Sequence, residues 1–137
     1  MEVSGVSENS GERSEVIFSR IVEHIDSWKA VNFKDTKFSR LNGLSNACYK
    51  VSAPDVMTLL YRKFECKVVD KQVEALIFKV ASDEGLGPKL LHQSSEYRIE
   101  GFLEGRPLTI WEMRNPCFMS AFVDKIFDFH FNQELKH

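Results

Sequence analysis

The sequence predicts an α+β fold: a five-stranded, mainly antiparallel sheet that carries one packed helix and is preceded by an N-terminal helix. The 137 residues match the usual length of one domain, and a hydrophobic content of 43% is ordinary for a globular core. Apolar residues recur at helical spacing in three segments, whereas five shorter apolar runs are bounded by glycine, proline or polar residues. This alternation of patterns indicates helices packed on a sheet.

Charge and cysteine content exclude several classes of protein. Eighteen Lys and Arg against twenty Asp and Glu give a net charge of -2, without the positive field that nucleic-acid binding usually needs. The three cysteines are odd in number and widely spaced, so neither a disulfide framework nor a Cys-x-x-Cys motif is expected. The acidic start has no signal-peptide pattern, and no apolar stretch reaches about 18 residues. We therefore expect a cytoplasmic protein with free thiols, no transmembrane segment and no nucleic-acid partner.

The N-terminal part of the chain divides at residue 14. Residues 1–13 are rich in Ser, Gly and Glu and are expected to form a disordered leader, because they offer little apolar surface to bury. From Ser14, which is the expected N-cap, an amphipathic helix of about four turns is predicted. Its apolar positions are Val16, Ile17, Ile21, Val22, Ile25 and Trp28.

Five strands are predicted between this helix and the C-terminal region. Two lie within residues 33–51, on either side of the Asn-Gly-Leu-Ser-Asn turn signal at 42–46. A third strand spans 56–64 after a Pro-Asp turn. A Gly-Pro pair then introduces two short strands at 89–92 and 97–103. The first three strands follow one another and are expected to be antiparallel.

Two further helices complete the prediction. Residues 70–81 place apolar side chains at helical spacing. Asn115 and Pro116 form an N-cap followed by a first-turn proline, so a final helix is expected from there to about His130. This final helix presents more apolar side chains than one small sheet can cover, which predicts a homodimer or another partner. They include Phe118, Phe122, Phe127 and Phe131.

One set of residues could bind phosphate. A glycine turn lets backbone N–H groups approach phosphates, a cation on a neighbouring strand can reach them, and a helix carboxylate can hold that cation. Gly43 with Ser45 and Asn46, then Arg62, then Glu74 fit these roles in order. The plainer interpretation is that the turn closes a hairpin and that Arg62 and Glu74 are solvated.

The motifs resemble a known family. The turn at 42–46, the Leu-Leu-Tyr-Arg strand ending at Arg62, the helix with Glu74, and segments 87–91 and 97–108 closely resemble the N-terminal lobe of choline and ethanolamine kinases. The resemblance runs from about residue 38 to residue 130. It implies a protein-kinase-like N-terminal lobe at 14–114 and, at 115–137, the first helix of a C-terminal lobe that this chain truncates.

The resemblance also implies site residues. Gly43, Ser45 and Asn46 would lie over the ATP phosphates, Arg62 would be the phosphate-binding cation, and Glu74 would be its partner. The backbone of Glu100, Gly101 and Phe102 would form the hinge that meets the adenine. Two positions depart from the family pattern, since Leu41 and Asn42 stand where members often have a small-residue turn such as Arg-Gly-Gly.

The implied function is the ATP-binding N-terminal portion of a choline or ethanolamine kinase. The complete form would transfer the γ-phosphoryl group of Mg-ATP to choline, the first step of phosphatidylcholine synthesis. The catalytic and Mg²⁺-binding motifs of the family belong to the C-terminal lobe, so no catalytic or metal-binding residue is expected here and the chain alone is expected to be inactive. Two triplets look like the His-x-Asp and Asp-Phe-Glu-type motifs of that lobe: His-Ile-Asp at 24–26 and Asp-Phe-His at 128–130. Both fall in helical patterns and are interpreted as helix residues.

An alternative stays open. The chain could be a non-catalytic binding or regulatory module that pairs with a full-length kinase. The sequence does not decide between choline and ethanolamine.

Overall fold

The computed structural model describes residues 12–42, 46–65 and 70–135. In chain order the elements are α1 (Ser14–His24), β1 (Lys37–Leu41), β2 (Asn46–Ser52), β3 (Leu59–Phe64), α2 (Lys71–Asp83), β4 (Leu90–Gln93), β5 (Tyr97–Gly101), α3 (Ile110–Met113) and α4 (Pro116–Phe131). Short 3₁₀ turns occupy Asp26–Trp28, Phe33–Asp35 and Gln133–Leu135. The α+β class is confirmed.

The five strands form one sheet in the order β1-β2-β3-β5-β4, with every neighbouring pair antiparallel. Because side chains alternate along a strand, the register sorts them onto two faces. The covered face carries Ala47, Tyr49, Val51, Leu59, Tyr61, Tyr97 and Ile99. The charged face carries Cys48, Arg62, Arg98 and Glu100.

Helix α1 packs on the covered face, with Ile17 and Ile21 completely buried. The chain leaves the helix at Ile25, which is extended, and the following 3₁₀ turn inserts Trp28, whose Nε1 donates to the Met57 carbonyl at 3.2 Å. The predicted helix is therefore confirmed, but it has about three α-turns instead of four.

The predicted N-cap of α1 is wrong by one residue. Arg13 is the N-cap: it is extended, its carbonyl accepts from Val16 and Ile17 at 3.0 and 3.2 Å, and no side chain caps the helix. Ser14 is the first helical residue.

Glu12 anchors the start of α1 to the sheet. Its side chain is 9% exposed; it accepts from the Tyr61 hydroxyl at 2.6 Å and from Arg20 Nη1 at 2.8 Å. Arg20 also bonds the Tyr61 hydroxyl. Glu12 was predicted to belong to the disordered leader, but it makes these defined contacts with the sheet and with α1. Residues 1–11 lie outside the described part of the chain.

The other end of α1 meets the edge strand β4. His24 Nε2 lies 3.0 Å from the Tyr97 hydroxyl, and the His24 and His92 rings stack at 3.6 Å and 6°. Glu23 Oε2 is 3.8 Å from His24 Nε2. Helix α1 is therefore fixed at both ends by polar contacts and between them by apolar packing.

Two strands begin later than predicted. Residues 33–35 form a 3₁₀ turn in which the Asn32 side chain accepts from the Lys34 N–H at 3.1 Å, so β1 starts at Lys37. Before β3 the chain turns through Asp55, which has a φ of 60°, a left-handed conformation that Asp tolerates better than most residues. The strand consequently begins at Leu59.

The helix caps agree better with the sequence. Asp70 caps α2 by accepting from the N–H groups of Gln72 and Val73 at 2.9 and 3.3 Å. Asn115 caps α4 by accepting from the Cys117 N–H at 2.9 Å, and Pro116 is the first helical residue. Capping chemistry therefore predicted the start of α4 correctly, whereas Asp70, predicted as the first residue of its helix, is the N-cap.

Helix α4 presents an uncovered apolar surface. Its exposed large side chains are Phe118, Phe122, Val123, Ile126, Phe127, Phe129 and Phe131. The helix touches the rest of the molecule near its end, where Asn132 Nδ2 lies 3.5 Å from Glu84 Oε2 at the end of α2. Within the described ranges, none of the helices is both long enough and apolar enough to span a membrane.

Candidate nucleotide-binding site

The charged face gathers four ionised side chains from three elements. Arg62 on β3 and Arg98 on β5 are direct cross-strand partners, and Glu100 follows two residues later on the same face. Glu100 Oε1 accepts from Arg62 Nε at 2.9 Å and from Arg98 Nε at 2.8 Å. Glu74 on α2 places Oε1 3.6 Å from Arg98 Nη1. Because like charges directly opposite each other repel, the two arginines require this shared carboxylate.

Burial differs sharply within this cluster. Glu100 is completely buried and Arg98 is 3% exposed, whereas the Arg62 side chain is 27% exposed. Burial disfavours the charged form of Arg62, but the hydrogen bond and the charge of Glu100 outweigh it, so the pKa of Arg62 lies above its ordinary value. Arg62 is therefore a firmly charged group that still reaches the surface.

Aromatic rings hold Arg98 in place. Its guanidinium lies 3.7 Å from the centre of the Phe78 ring on α2 and 5.5 Å from that of Phe64 on β3. Stacking on an aromatic face stabilises an arginine cation and restricts its plane. Arg98 thus joins α2 to the sheet.

The expected pairing of Arg62 with Glu74 is not the one in the structure. The carboxylate that bonds Arg62 is Glu100, and Glu74 contacts Arg98 instead. The physical reason is register: β5 lies directly beside β3, which brings Glu100 within hydrogen-bond distance of Arg62.

The glycine turn is only partly described. Gly43 and Ser45 lie outside the described residues, so their predicted position over phosphates stays a prediction. Asn46 begins β2, and its Oδ1 accepts from the Glu65 N–H at 3.3 Å. The Asn46 side chain therefore links the start of β2 to the residue that follows β3.

The predicted hinge is an ordered strand end. Gly101 donates its N–H to the Lys89 carbonyl at 2.8 Å, and Phe102 donates to the Thr58 carbonyl at 3.0 Å. The Phe102 ring has the Lys50 ammonium 4.3 Å from its centre. These two N–H groups are engaged within the protein, so an adenine at this edge would have to use other backbone groups.

Sequence reasoning missed Arg98 and the side chain of Glu100. The signal was present, since the Arg-Ile-Glu triplet at 98–100 places both charges on one face of a strand. In the described ranges no cluster of three or more His, Cys, Asp or Glu is arranged to hold a metal ion. The look-alike triplet at 128–130 lies inside α4, and that at 24–26 spans the end of α1 and the start of the 3₁₀ turn.

Comparison with known proteins identifies the family. The choline/ethanolamine kinase family model matches residues 38–134, most of the chain, so the chain belongs to the choline/ethanolamine kinase family. A human choline/ethanolamine kinase is 28% identical over 116 residues, which cover 76% of this chain and 29% of the relative. A rat choline/ethanolamine kinase is 30% identical over 99 residues, which cover 64% and 25%.

Solved structures agree on the fold. A crystal structure of choline kinase from Cryptosporidium parvum Iowa II superposes with a TM-score of 0.77 at 22% identity, covering 88% of this chain and 36% of that one. A Plasmodium vivax ethanolamine kinase gives 0.69 at 20% identity, covering 95% and 38%. The fold is protein-kinase-like, and the chain spans between about a quarter and two fifths of the length of these relatives.

Proposed function

We propose that this chain forms the ATP-binding N-terminal portion of a choline or ethanolamine kinase, with Arg62 as the group that holds the nucleotide phosphates. The observation that carries the proposal is the geometry of Arg62. Its Nε is fixed by Glu100 at 2.9 Å, while the side chain keeps 27% of its surface exposed on the charged face. An arginine held in this way offers its two Nη groups as a planar fork, which suits phosphate oxygens.

The chemistry expected of such a site is electrostatic. Phosphoryl transfer gains most of its acceleration from positioning and from stabilising charge on the transferred group, and a fixed guanidinium does both. ATP is therefore the proposed nucleotide, together with Mg²⁺, which would supply further neutralisation of the phosphate charge. In the family, ligands for the metal and for choline or ethanolamine would come from regions that this chain does not match.

We also propose a division of the chain into two parts, in keeping with its protein-kinase-like fold. Residues 14–114 would form the nucleotide-binding lobe, and residues 115–137 would begin a second lobe. The exposed apolar side chains of α4 support this division, because such a surface needs a cover. The same surface suits the second candidate, a non-catalytic module that pairs with a full-length kinase or a second copy. A cytoplasmic location stays part of the proposal.

The direct test is nucleotide binding to the purified 137-residue chain. We expect saturable binding of ATP, measured by calorimetry or by displacement of a fluorescent ATP analogue. Arg62→Ala should weaken ATP binding about 10- to 100-fold, the scale of one hydrogen bond to a charged group.

The matched control is the neighbouring cation. Lys63 lies next to Arg62 on β3 but points to the opposite face, and its ammonium is 3.9 Å from Glu12. Lys63→Ala should leave ATP affinity close to that of the wild type. Absent ATP binding, or equal losses in both variants, would refute the proposed role of Arg62.

A further inference from the structure

We propose that the side chain of Glu100 is the positioning residue that aims Arg62 at the phosphates, and that Glu74 acts on Arg62 more weakly, by its charge and through Arg98. This inference rests on the proposed function and deepens it. The carboxylate that supports Arg62 is then Glu100 on β5 instead of Glu74 on α2. Glu100, whose backbone is predicted to form part of the hinge, thereby has a second role through its side chain.

The first support is how Glu100 holds Arg62. A hydrogen bond to Nε fixes the plane of the guanidinium and leaves the Nη groups on its far side. Glu100 makes that bond at 2.9 Å and is itself completely buried, so it cannot follow Arg62 into solvent. The position of the fork is thus set from inside the sheet.

The second support is how Glu100 is held. Arg98 Nε donates to the same oxygen at 2.8 Å, and Arg98 is fixed by the Phe78 ring at 3.7 Å. A buried carboxylate that accepts from two arginines has less freedom to rotate than one with a single partner. Arg98 therefore fixes Glu100, which in turn fixes Arg62.

The third support is the weak connection of Glu74. Its oxygen is 3.6 Å from Arg98 Nη1, which is beyond a strong hydrogen bond, and its side chain is 37% exposed. Loss of Glu74 would leave both bonds to Glu100 intact. Glu74 can accordingly influence Arg62 by its charge and by shifting Arg98, which is a weaker hold than the hydrogen bond from Glu100.

The buried polar atoms of this cluster also point to function. Within the described chain, Glu100 Oε2 and Arg98 Nη1 are buried without a hydrogen-bond partner. Unsatisfied buried groups lower stability, and apolar residues of similar volume often replace buried ion clusters at no loss. The stability of the fold alone therefore does not account for these two unsatisfied groups, and a role at a binding site does.

The experiment compares ATP with adenosine, which lacks phosphates, on the same 137-residue chain. Glu100→Gln keeps the shape of the side chain and removes its charge, so we expect the preference for ATP over adenosine to fall about tenfold, with adenosine affinity unchanged. Glu74→Gln should cost less than Glu100→Gln. Glu96→Gln, an exposed carboxylate just before β5, is the control that should change neither affinity.

A double-mutant cycle separates positioning from general damage. If Glu100 acts through Arg62, Glu100→Gln should have no further effect on ATP preference in an Arg62→Ala background. If Glu100→Gln does not fold, Glu100→Asp takes its place, since it keeps the charge but withdraws the carboxylate, and the same loss is expected.

The outcomes distinguish the two ideas. A wild-type chain that does not prefer ATP, or an Arg62→Ala variant that prefers it equally, overturns the proposed function together with this inference. A strong effect of Arg62→Ala combined with a normal Glu100→Gln variant overturns the inference alone. So does a larger loss from Glu74→Gln, or an effect of Glu100→Gln that persists without Arg62.

Discussion

The two faces of the sheet use the same strands for different purposes. On the covered face, Leu59 and Ile99 are completely buried under α1. The residues next to them in the chain, Leu60 and Glu100, are cross-strand partners on the charged face, where Glu100 bonds Arg62. Of two neighbouring residues in a strand, one therefore contributes to the stability of the core and the next lies on the face that carries the candidate site. Substitutions one position apart should separate the two.

The largest expected effect comes from a leucine pair on β3. Leu59→Ala removes completely buried apolar volume and should lower the free energy of unfolding by about 2–5 kcal/mol. Leu60→Ala, at a half-buried position on the other face, should cost less than half as much. Urea unfolding followed by circular dichroism gives both values. Equal losses would show that the two faces do not differ in their contribution to stability.

A tyrosine pair sharpens the comparison within the covered face. Tyr61 and Tyr49 are cross-strand partners, but the Tyr61 hydroxyl bonds Glu12 and Arg20, while the Tyr49 hydroxyl is buried without a hydrogen-bond partner among the described residues. Tyr61→Phe should lower the free energy of unfolding by about 1–3 kcal/mol. Tyr49→Phe should be neutral or stabilising. Thermal unfolding of the two variants would decide, and the reverse order would contradict the bonding described for Glu12.

The smallest expected effect is a pH dependence at the edge of the covered face. Burial and the neighbouring His24 lower the pKa of His92 from its ordinary 6.5, and Glu23 partly offsets this. The unfolded chain then takes up a proton on His92 at higher pH than the folded one, so the contribution of His92 to stability should fall as the pH drops below about 6.5 and stay constant above it.

The matched variants for this effect are two histidines changed to phenylalanine. His92→Phe keeps a ring against His24 but cannot titrate, and it should reduce the loss of stability at acidic pH. His130→Phe on the exposed face of α4 should leave the pH profile as it is. Melting temperatures between pH 5 and pH 8 provide the measurement; identical profiles for His92→Phe and wild type would argue against the role of the stacked pair.

The parts of the fold that depend on nearby residues could be predicted from the sequence. Asn115 caps its helix as expected, because a cap bonds an N–H group only two or three residues away. The starts of β1 and β3 were predicted too early, because apolar residues before them lie outside the strands. Phe33 is in a 3₁₀ turn, and Val56 and Met57 follow the predicted Pro-Asp turn without entering the sheet.

The site was less predictable, for a physical reason. Arg62 could be selected from the sequence as a cation on a strand, but its carboxylate partner depends on which strand lies beside β3. That neighbour is β5, more than thirty residues later, with α2 and β4 between them in the chain. The Arg-Ile-Glu triplet showed that Arg98 and Glu100 share one face of a strand, but their contact with Arg62 depends on the sheet order.

The packing of α1 on the covered face also bears on how the chain folds during synthesis. Ile17, Ile21 and Trp28 are made first, yet they are buried partly by Tyr97 and Ile99 on β5. At about 5–20 residues per second, the ribosome needs several seconds to travel from one group to the other. During that interval the apolar stripe of the helix has no completed sheet to cover it. We therefore expect nascent chains that stop before β5 to be retained by chaperones, and release to follow once β5 has emerged.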